Sequence, residues 1–502
     1  MPINQLRRLL DTLTESEIKY FRQYAHRHIA TGKTSYLKLF ELMVDSNHLS
    51  DAEIRVQIDP ALTPAGLLSL KKYLYNLVLK TLVNRREETH IFPRLLKELS
   101  MVEILNDKML YDEAIKKLQK IRNETSGNDL YCLTLVAYWF EEVMMRNIGY
   151  SMGSTTDATK RNAAYVEFAD NVNKQIKLGA LFSSYAILNR SGLVKTEEEK
   201  RLQEIFNDPL LDDNASYDLT AAQRSYMLMK QLRARFQGDK QLSFQYVRQL
   251  HDIFMKFPSD FFYHESSQIF STCTKAIYHL ERAEFVPAEK LLVQLRSMNP
   301  HTGQNKYLLF RMKFLVELLF LRAKGKHEQC LEAIMKYESQ AKAVRGKLFN
   351  ILEYRNFQSI ISYLLSRNLY HESLSFINTI LNDSRIKKKG VPYQLYARIM
   401  NLIVHYELNN QDLLESSIRS FEYYVSKNHV SLKFIKHTLN FFRAVSRSRN
   451  RFKDELEKYS KALIPLMEIP VEKVHLFDLI DSGWLQQKGI PIKARGLRPM
   501  LM

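Results

Sequence analysis

Apolar residues recur along this chain at intervals of three and four, the spacing that puts them on one side of an α-helix. Thr14-Glu15-Ser16-Glu17 opens the first clear stripe in capping-box form, and Ile18, Phe21 and Ala25 follow it inward. A second amphipathic stretch runs from about Ser35 to Val44, with Leu39, Leu42 and Met43 inward. A third, from about Pro64 to Leu82, carries Leu67, Leu70, Leu74, Leu77 and Val78. Asp59-Pro60 and Thr63-Pro64 punctuate the gap between the last two. These stripes predict a small helical unit over residues 1–100.

From residue 101 the pattern begins to repeat. Tyr111-Asp112-Glu113-Ala114 sits between two helical stretches, and similar junctions follow at Phe285-Val286-Pro287-Ala288, His327-Glu328-Gln329-Cys330 and Tyr370-His371-Glu372-Ser373. Each sets an aromatic or histidine three residues before a small side chain. Weaker junctions are read at Gly238-Asp239-Lys240, with Phe244 in the small residue's place, and at Leu413-Leu414-Glu415-Ser416. The intervals between positions 244, 288, 330, 373 and 416 are 44, 42, 43 and 43. Helix pairs of equal length produce such spacing, because each leaves an apolar face that an equal neighbour covers. Extending the spacing back from 244 to 114 predicts two further junctions near residues 157 and 201, where Ser151 to Thr159 and Lys195 to Lys200 are polar.

The junctions resemble those of tetratricopeptide repeats, whose pairs turn at a Gly-x-aromatic-x-x-Ala step. Gly325-Lys326-His327-Glu328-Gln329-Cys330 and Leu110-Tyr111-Asp112-Glu113-Ala114 are the nearest matches, and the resemblance covers residues 101–425. The period near 43 departs from the ~34 of that family, and HEAT-like pairs of ~40–47 residues are the alternative. Leu13 to Phe21, Tyr36 to Phe40 and Lys72-Tyr73-Leu74-Tyr75 are also similar to an uncharacterised bacterial helical-repeat family, a likeness that brings no activity with it. The expected fold is all-α: an N-terminal helical unit over 1–100, a solenoid of TPR-like antiparallel pairs over 101–425, and a capping helix with a C-terminal segment over 426–502.

Composition agrees with long helices. The 502 residues include only 15 Gly and 13 Pro, about half of usual usage, while 45% hydrophobic and 25% charged residues suffice for a wetted, folded core. Cys132, Cys273 and Cys330 are spaced too widely for a zinc site or disulfide framework and read as buried small hydrophobes in a reducing compartment. The N-terminus lacks the apolar run of a secretory signal, and the greasiest stretch, Tyr307 to Arg322, is broken by Arg311, Lys313 and Glu317. A cytoplasmic location is expected.

Formal charge is +18, from 73 basic and 55 acidic residues, which favours anionic partners. The sharpest basic segment is Lys427 to Lys453, with eight Lys or Arg and no Asp or Glu. On a helical projection Lys433, Lys436, His437, Asn440, Arg443, Arg447 and Arg451 share a sector of about 120°. Leu432, Phe434, Ile435, Leu439, Phe441, Phe442 and Val445 occupy the other side. Such a helix either presents an anion- or partner-binding face or caps the solenoid with a wet outer surface. Arg385 to Gly390 is a shorter basic stretch that reads as a loop, and Lys71, Lys72, Lys80, Arg85 and Arg86 decorate a helix without sharing one face.

Frames for phosphate, dinucleotide, zinc and serine chemistry do not occur in the sequence. His26-Arg27-His28 sets two imidazoles about 200° apart on a helix, unsuited to one metal, and Glu141-Glu142 and Glu197 to Glu199 read as solvated helix charges. Aromatics at helical spacing, such as Phe254, Phe257 and Phe261, read as core. No catalytic, cofactor or metal residue is assigned. The expected role is a non-catalytic scaffold or regulator holding a protein or peptide, an acidic one included, on the solenoid. The alternative is a nucleic-acid-associated regulator using the basic helix or the N-terminal helical unit.

Overall fold

The computed structural model describes residues 4–27, 34–45, 49–148, 155–191, 196–212, 216–256, 262–348, 353–383 and 391–490, and among them all regular structure is helical, with no strand. The chain divides into two compact units, Met1–Tyr165 and Val166–Met502. That division falls inside the stretch that the junction spacing assigns to one array.

In the first unit the helices are α1 (Asn4–Leu10), α2 (Glu15–Arg27), α3 (Ser35–Asp45), α4 (Asp51–Ile58), α5 (Pro64–Thr89), α6 (Ile91–Asp107), α7 (Tyr111–Gly127) and α8 (Tyr131–Asn147). The capping box at Thr14 forms: its N–H donates to Glu17 Oε2 at 2.8 Å, and the Glu17 N–H returns to Thr14 Oγ1 at 3.3 Å. Ser50 builds a second box at the start of α4, and Thr63 with Pro64 starts α5. Helices α1 to α4 close on α5 around Phe21, Leu39, Phe40, Leu67, Leu74 and Val78. Lys71 points into this unit and pairs with Asp51 at 2.6 Å, and Arg85 donates to Ser16 Oγ at 2.7 Å, so neither belongs to a free basic face.

Helix α9 (Thr155–Ser191) runs 37 residues, and residue 165 lies within it. The second unit continues with α10 (Thr196–Phe206), α11 (Thr220–Phe236), α12 (Lys240–Lys256), α13 (Phe262–Glu281), α14 (Phe285–Ser297), α15 (Gly303–Ala323), α16 (His327–Leu348), α17 (Glu353–Ser366) and α18 (Tyr370–Asn382). It ends with α19 (Val391–Glu407), α20 (Gln411–Lys427), α21 (Lys433–Arg447), α22 (Phe452–Leu463), α23 (Pro470–Asp481) and α24 (Trp484–Gln487). Helix α8 ends at Asn147 and α9 begins at Thr155, and α9 ends at Ser191 and α10 begins at Thr196, so positions 157 and 201 lie near helix starts, as Ala114 does in α7, and the turns expected before them fall largely outside the described residues. The polar residues that suggested them are first-turn positions, where Asp157 and Glu197 to Glu199 meet the positive end of the helix dipole. Residues 151–154 and Lys195, parts of those same stretches, lie outside the described residues, as do His28, Phe257, Phe261 and Arg385 to Gly390.

A common turn recurs at Met109, Gly238, Ala283, Gly325, Asn368 and Asn409, each in the left-handed region with φ between 57° and 83°. In every case the next amide closes on the carbonyl five residues before it, at 2.8–3.0 Å, the Schellman arrangement that ends one helix and launches its antiparallel neighbour. Five residues past each left-handed position stands a buried side chain: Ala114, Ser243, Ala288, Cys330, Ser373 and Leu414. The weak junctions are thereby corrected. Ser243, not Phe244, is the small residue of its turn, and Leu414 replaces Ser416, which is exposed. Cys273 and Cys330 are buried, whereas Cys132 is exposed, because it falls on the outer side of α8.

Ala283 holds a conformation that costs an L-residue about 1 kcal/mol, and its side chain is exposed. Ala283→Gly is therefore expected to stabilise the chain by up to about 1 kcal/mol, the gain being reduced by glycine's greater unfolded-state entropy. Urea unfolding of the two proteins measures it, and a loss of stability would contradict the turn geometry.

Candidate partner-binding face

Helix α21 is positioned from both ends and one side. Leu432, Phe434, Ile435, Leu439, Phe441, Phe442 and Val445 are all buried. Buried Thr438 returns its hydroxyl to the Phe434 carbonyl at 2.8 Å and lies 2.7 Å from the Tyr459 hydroxyl, whose ionisation burial pushes up. At the N-terminus Glu472, reaching from α23, accepts the N–H groups of Lys433 at 2.6 Å and Phe434 at 3.1 Å. A buried carboxylate on the first two amides satisfies donors that have no intrahelical partner and meets the positive end of the dipole.

On the outer side Lys433, Lys436, Asn440 and Arg447 are exposed and His437 is half-buried. Arg443 is half-buried and ion-paired with Glu422 of α20, with Asn440 Oδ1 at 3.5 Å from its Nη1. Its charge is therefore largely spent. Arg451 does not continue the face: α21 stops at Arg447, Ser448 is extended, and Arg451 sits exposed in the following 3-10 turn. Among the described residues Lys433, Lys436, Arg447 and Arg451 have no acidic partner.

The sequence projection, confined to one helix, missed the adjoining part of this face. The Arg443 to Glu422 pair and a hydrogen bond from the Gln411 side chain to the Ser446 carbonyl lay α20 antiparallel beside α21. Arg419, Tyr423 and Lys427 of α20 are exposed, at i, i+4 and i+8, and Tyr423 is 67% accessible with Lys427 Nζ 5.7 Å from its ring centre. The combined face carries five cations besides the spent Arg443: Arg419, Lys427, Lys433, Lys436 and Arg447. Only the spacing of Arg419, Tyr423 and Lys427 on the next helix back could have flagged it.

Helices α22 to α24 follow α21 and fold back: Phe441 stacks on Tyr459 at 4.8 Å and Phe442 on fully buried Trp484 at 5.9 Å. Trp484 Nε1 donates to Glu407 at the end of α19, Gln487 donates to the Ser366 carbonyl at the end of α17, and Asp481 meets Arg322 at the end of α15. Helices α17 and α19 are consequently covered on nearly every side; even Asn356, Gln358, Ser359, Ser362 and Gln394 are buried. The long apolar run Tyr307 to Arg322 is part of the same packed interior, and among the described residues no helix is long and apolar enough to cross a membrane. Among the described residues no group of three or more His, Cys, Asp or Glu is placed to hold a metal ion. No protein-family model, curated protein or solved structure matches the chain.

Proposed function

We propose that the chain is a non-catalytic cytoplasmic scaffold, a solenoid of TPR-like antiparallel helix pairs with a period of about 43 residues that holds an acidic segment of a protein partner on the α20–α21 face. The recurrence of one turn geometry at positions 238, 283, 325, 368 and 409 supports the repeat. The observation that carries the binding reading is a set of exposed cations, Arg419, Lys427, Lys433, Lys436 and Arg447, on two adjacent helices held rigidly from behind. With α17 and α19 covered by the chain's own C-terminal helices, the outer face is the better place for a partner than the inner one. Charged rims of this kind raise association rates and select partners of opposite sign.

A second reading, nucleic-acid binding, is favoured by Tyr423, an exposed aromatic set among cations as in single-strand platforms. The two are separated by titrating the full chain with a glutamate-rich peptide and with a single-stranded oligonucleotide across a salt series. Replacing Lys427, Lys436 and Arg447 together with Glu is expected to weaken peptide binding at least tenfold, about 1.4 kcal/mol, with an unchanged circular dichroism spectrum. Oligonucleotide binding that falls steeply with salt and is reduced by Tyr423→Ala would establish the second reading instead. Indifference of both probes to the triple change would remove this face from the function.

A further inference from the structure

The first unit carries a second surface with a different chemistry. Helix α5 is 26 residues long and buries Leu67, Lys71, Leu74, Val78 and Thr81 against its own unit. On its opposite flank Leu68, Lys72, Tyr75, Leu79, Val83 and Arg86 follow at steps of four, three, four, four and three, inside a sector of about 80°. Leu68 is 45% exposed, Leu79 37% and Val83 51%, Tyr75 is half-buried, and Lys72 and Arg86 are exposed. An apolar stripe of about 22 Å from Leu68 to Val83, crossed by Lys72 and ended by Arg86, has the form of a coiled-coil seam. Single exposed leucines are ordinary, but a continuous stripe marks an interaction surface.

Two charges define what fits it. Lys72 and Arg86 stand within the seam about 21 Å apart, and among the described residues neither has an acidic partner. Lys71, one residue away but turned inward, is paired with Asp51, and Glu87, just past the seam, is taken by Lys97 at 2.7 Å. The seam itself holds no acid. Two copies of α5 crossing antiparallel about Leu79 would set Lys72 against Arg86, and a parallel pair would set Lys72 against Lys72. Both are repulsive. Two cations separated by leucine and valine are also too sparse for a phosphate backbone, which presents a charge at each nucleotide.

We propose that this seam docks an amphipathic helix of a partner protein, apolar at coiled-coil spacing and carrying two carboxylates about two heptads apart, one for Lys72 and one for Arg86. Leu68, Leu79 and Val83 supply the buried strip, and the two ion pairs set register and direction, the use to which charged and polar seam positions are put. This surface is independent of the α20–α21 face and stands or falls by its own variants.

The test uses the full chain and a labelled 21-residue helical peptide with leucines on one stripe and two glutamates fourteen positions apart, followed by fluorescence anisotropy. Lys72→Glu with Arg86→Glu is expected to weaken binding at least about tenfold, and a peptide with lysines in place of the two glutamates should bind this variant and not the parent. A peptide with the same composition but glutamates seven positions apart should bind the parent less well. Leu79→Ser, an exposed change, should weaken all these complexes without altering the helical spectrum. The proposal is overturned if the parent does not bind the glutamate peptide, if both peptides bind it equally, or if the swap fails to restore binding. It is likewise overturned if sedimentation shows a dimer that Leu79→Ser dissociates, or if anionic vesicles compete the peptide away.

Discussion

Trp484→Ala is expected to destabilise the second unit by roughly 3–5 kcal/mol, the range for truncating a fully buried aromatic ring. The ring has no accessible surface, stacks 5.9 Å from Phe442, lies 6.1 Å from Phe441 and donates its N–H to Glu407 at 2.6 Å. Removing it leaves a cavity beneath α21 and takes one donor from a carboxylate that then depends on Lys488, 2.9 Å away. It also loosens the tether by which α23 and α24 cover α17 and α19. Trp484→Phe keeps most of the ring but not the donor, and should cost less, near the 1.5–3 kcal/mol of a charged hydrogen bond. Urea unfolding followed by circular dichroism checks both. The chain has two tryptophans, and Trp139 is half-exposed, so emission from Trp484→Ala should be shifted toward that of a solvated indole. A loss below ~1 kcal/mol would mean that the C-terminal helices are ornament and that the inner faces open without them.

What could be read in the sequence followed from local rules. The stripe of α21 announces which seven residues turn inward because one helix decides it, and the turns at 283, 325 and 368 stand beside small residues whose burial is fixed five positions on. Where the local signal is degenerate the reading slips. Ser243 and Phe244 are adjacent, and only the left-handed residue at 238 tells which one enters the helix crossing.

The candidate face was legible for the side chains of one helix and illegible wherever another element intervenes. Nothing near Arg443 in the sequence indicates that Glu422, 21 residues earlier, spends its charge, nor that Glu472, 39 residues after Lys433, caps the helix. Arg451 fell on the projected sector because a projection does not know that Ser448 breaks the helix. Each of these contacts joins residues on different helices, and apolar periodicity carries no record of which helices meet.

The same distance from sequence patterns marks His251, whose effect on stability is nearly as large as that of Trp484. It lies on α12, buried, with Ser271 Oγ 3.4 Å from Nδ1, and faces Lys275 of α13, itself 3.6 Å from Asp252. Burial first, and the Lys275 charge second, push its imidazole down to about 4. The unfolded chain takes up a proton near pH 6.5, while the native state refuses it until about pH 4, so protons favour unfolding between those values. The stability His251 allows is therefore complete above pH 6.5, falls progressively as the pH drops toward 4, and falls no further below that. The difference corresponds to about 3 kcal/mol. His251→Asn, which cannot titrate, should lose that much less stability than the parent between pH 7 and pH 4, whatever its own stability at neutral pH. Urea unfolding at half-unit pH steps measures the two slopes; if they coincide through this window, His251 accepts its proton in the native state without penalty and the buried, neutral imidazole is wrong.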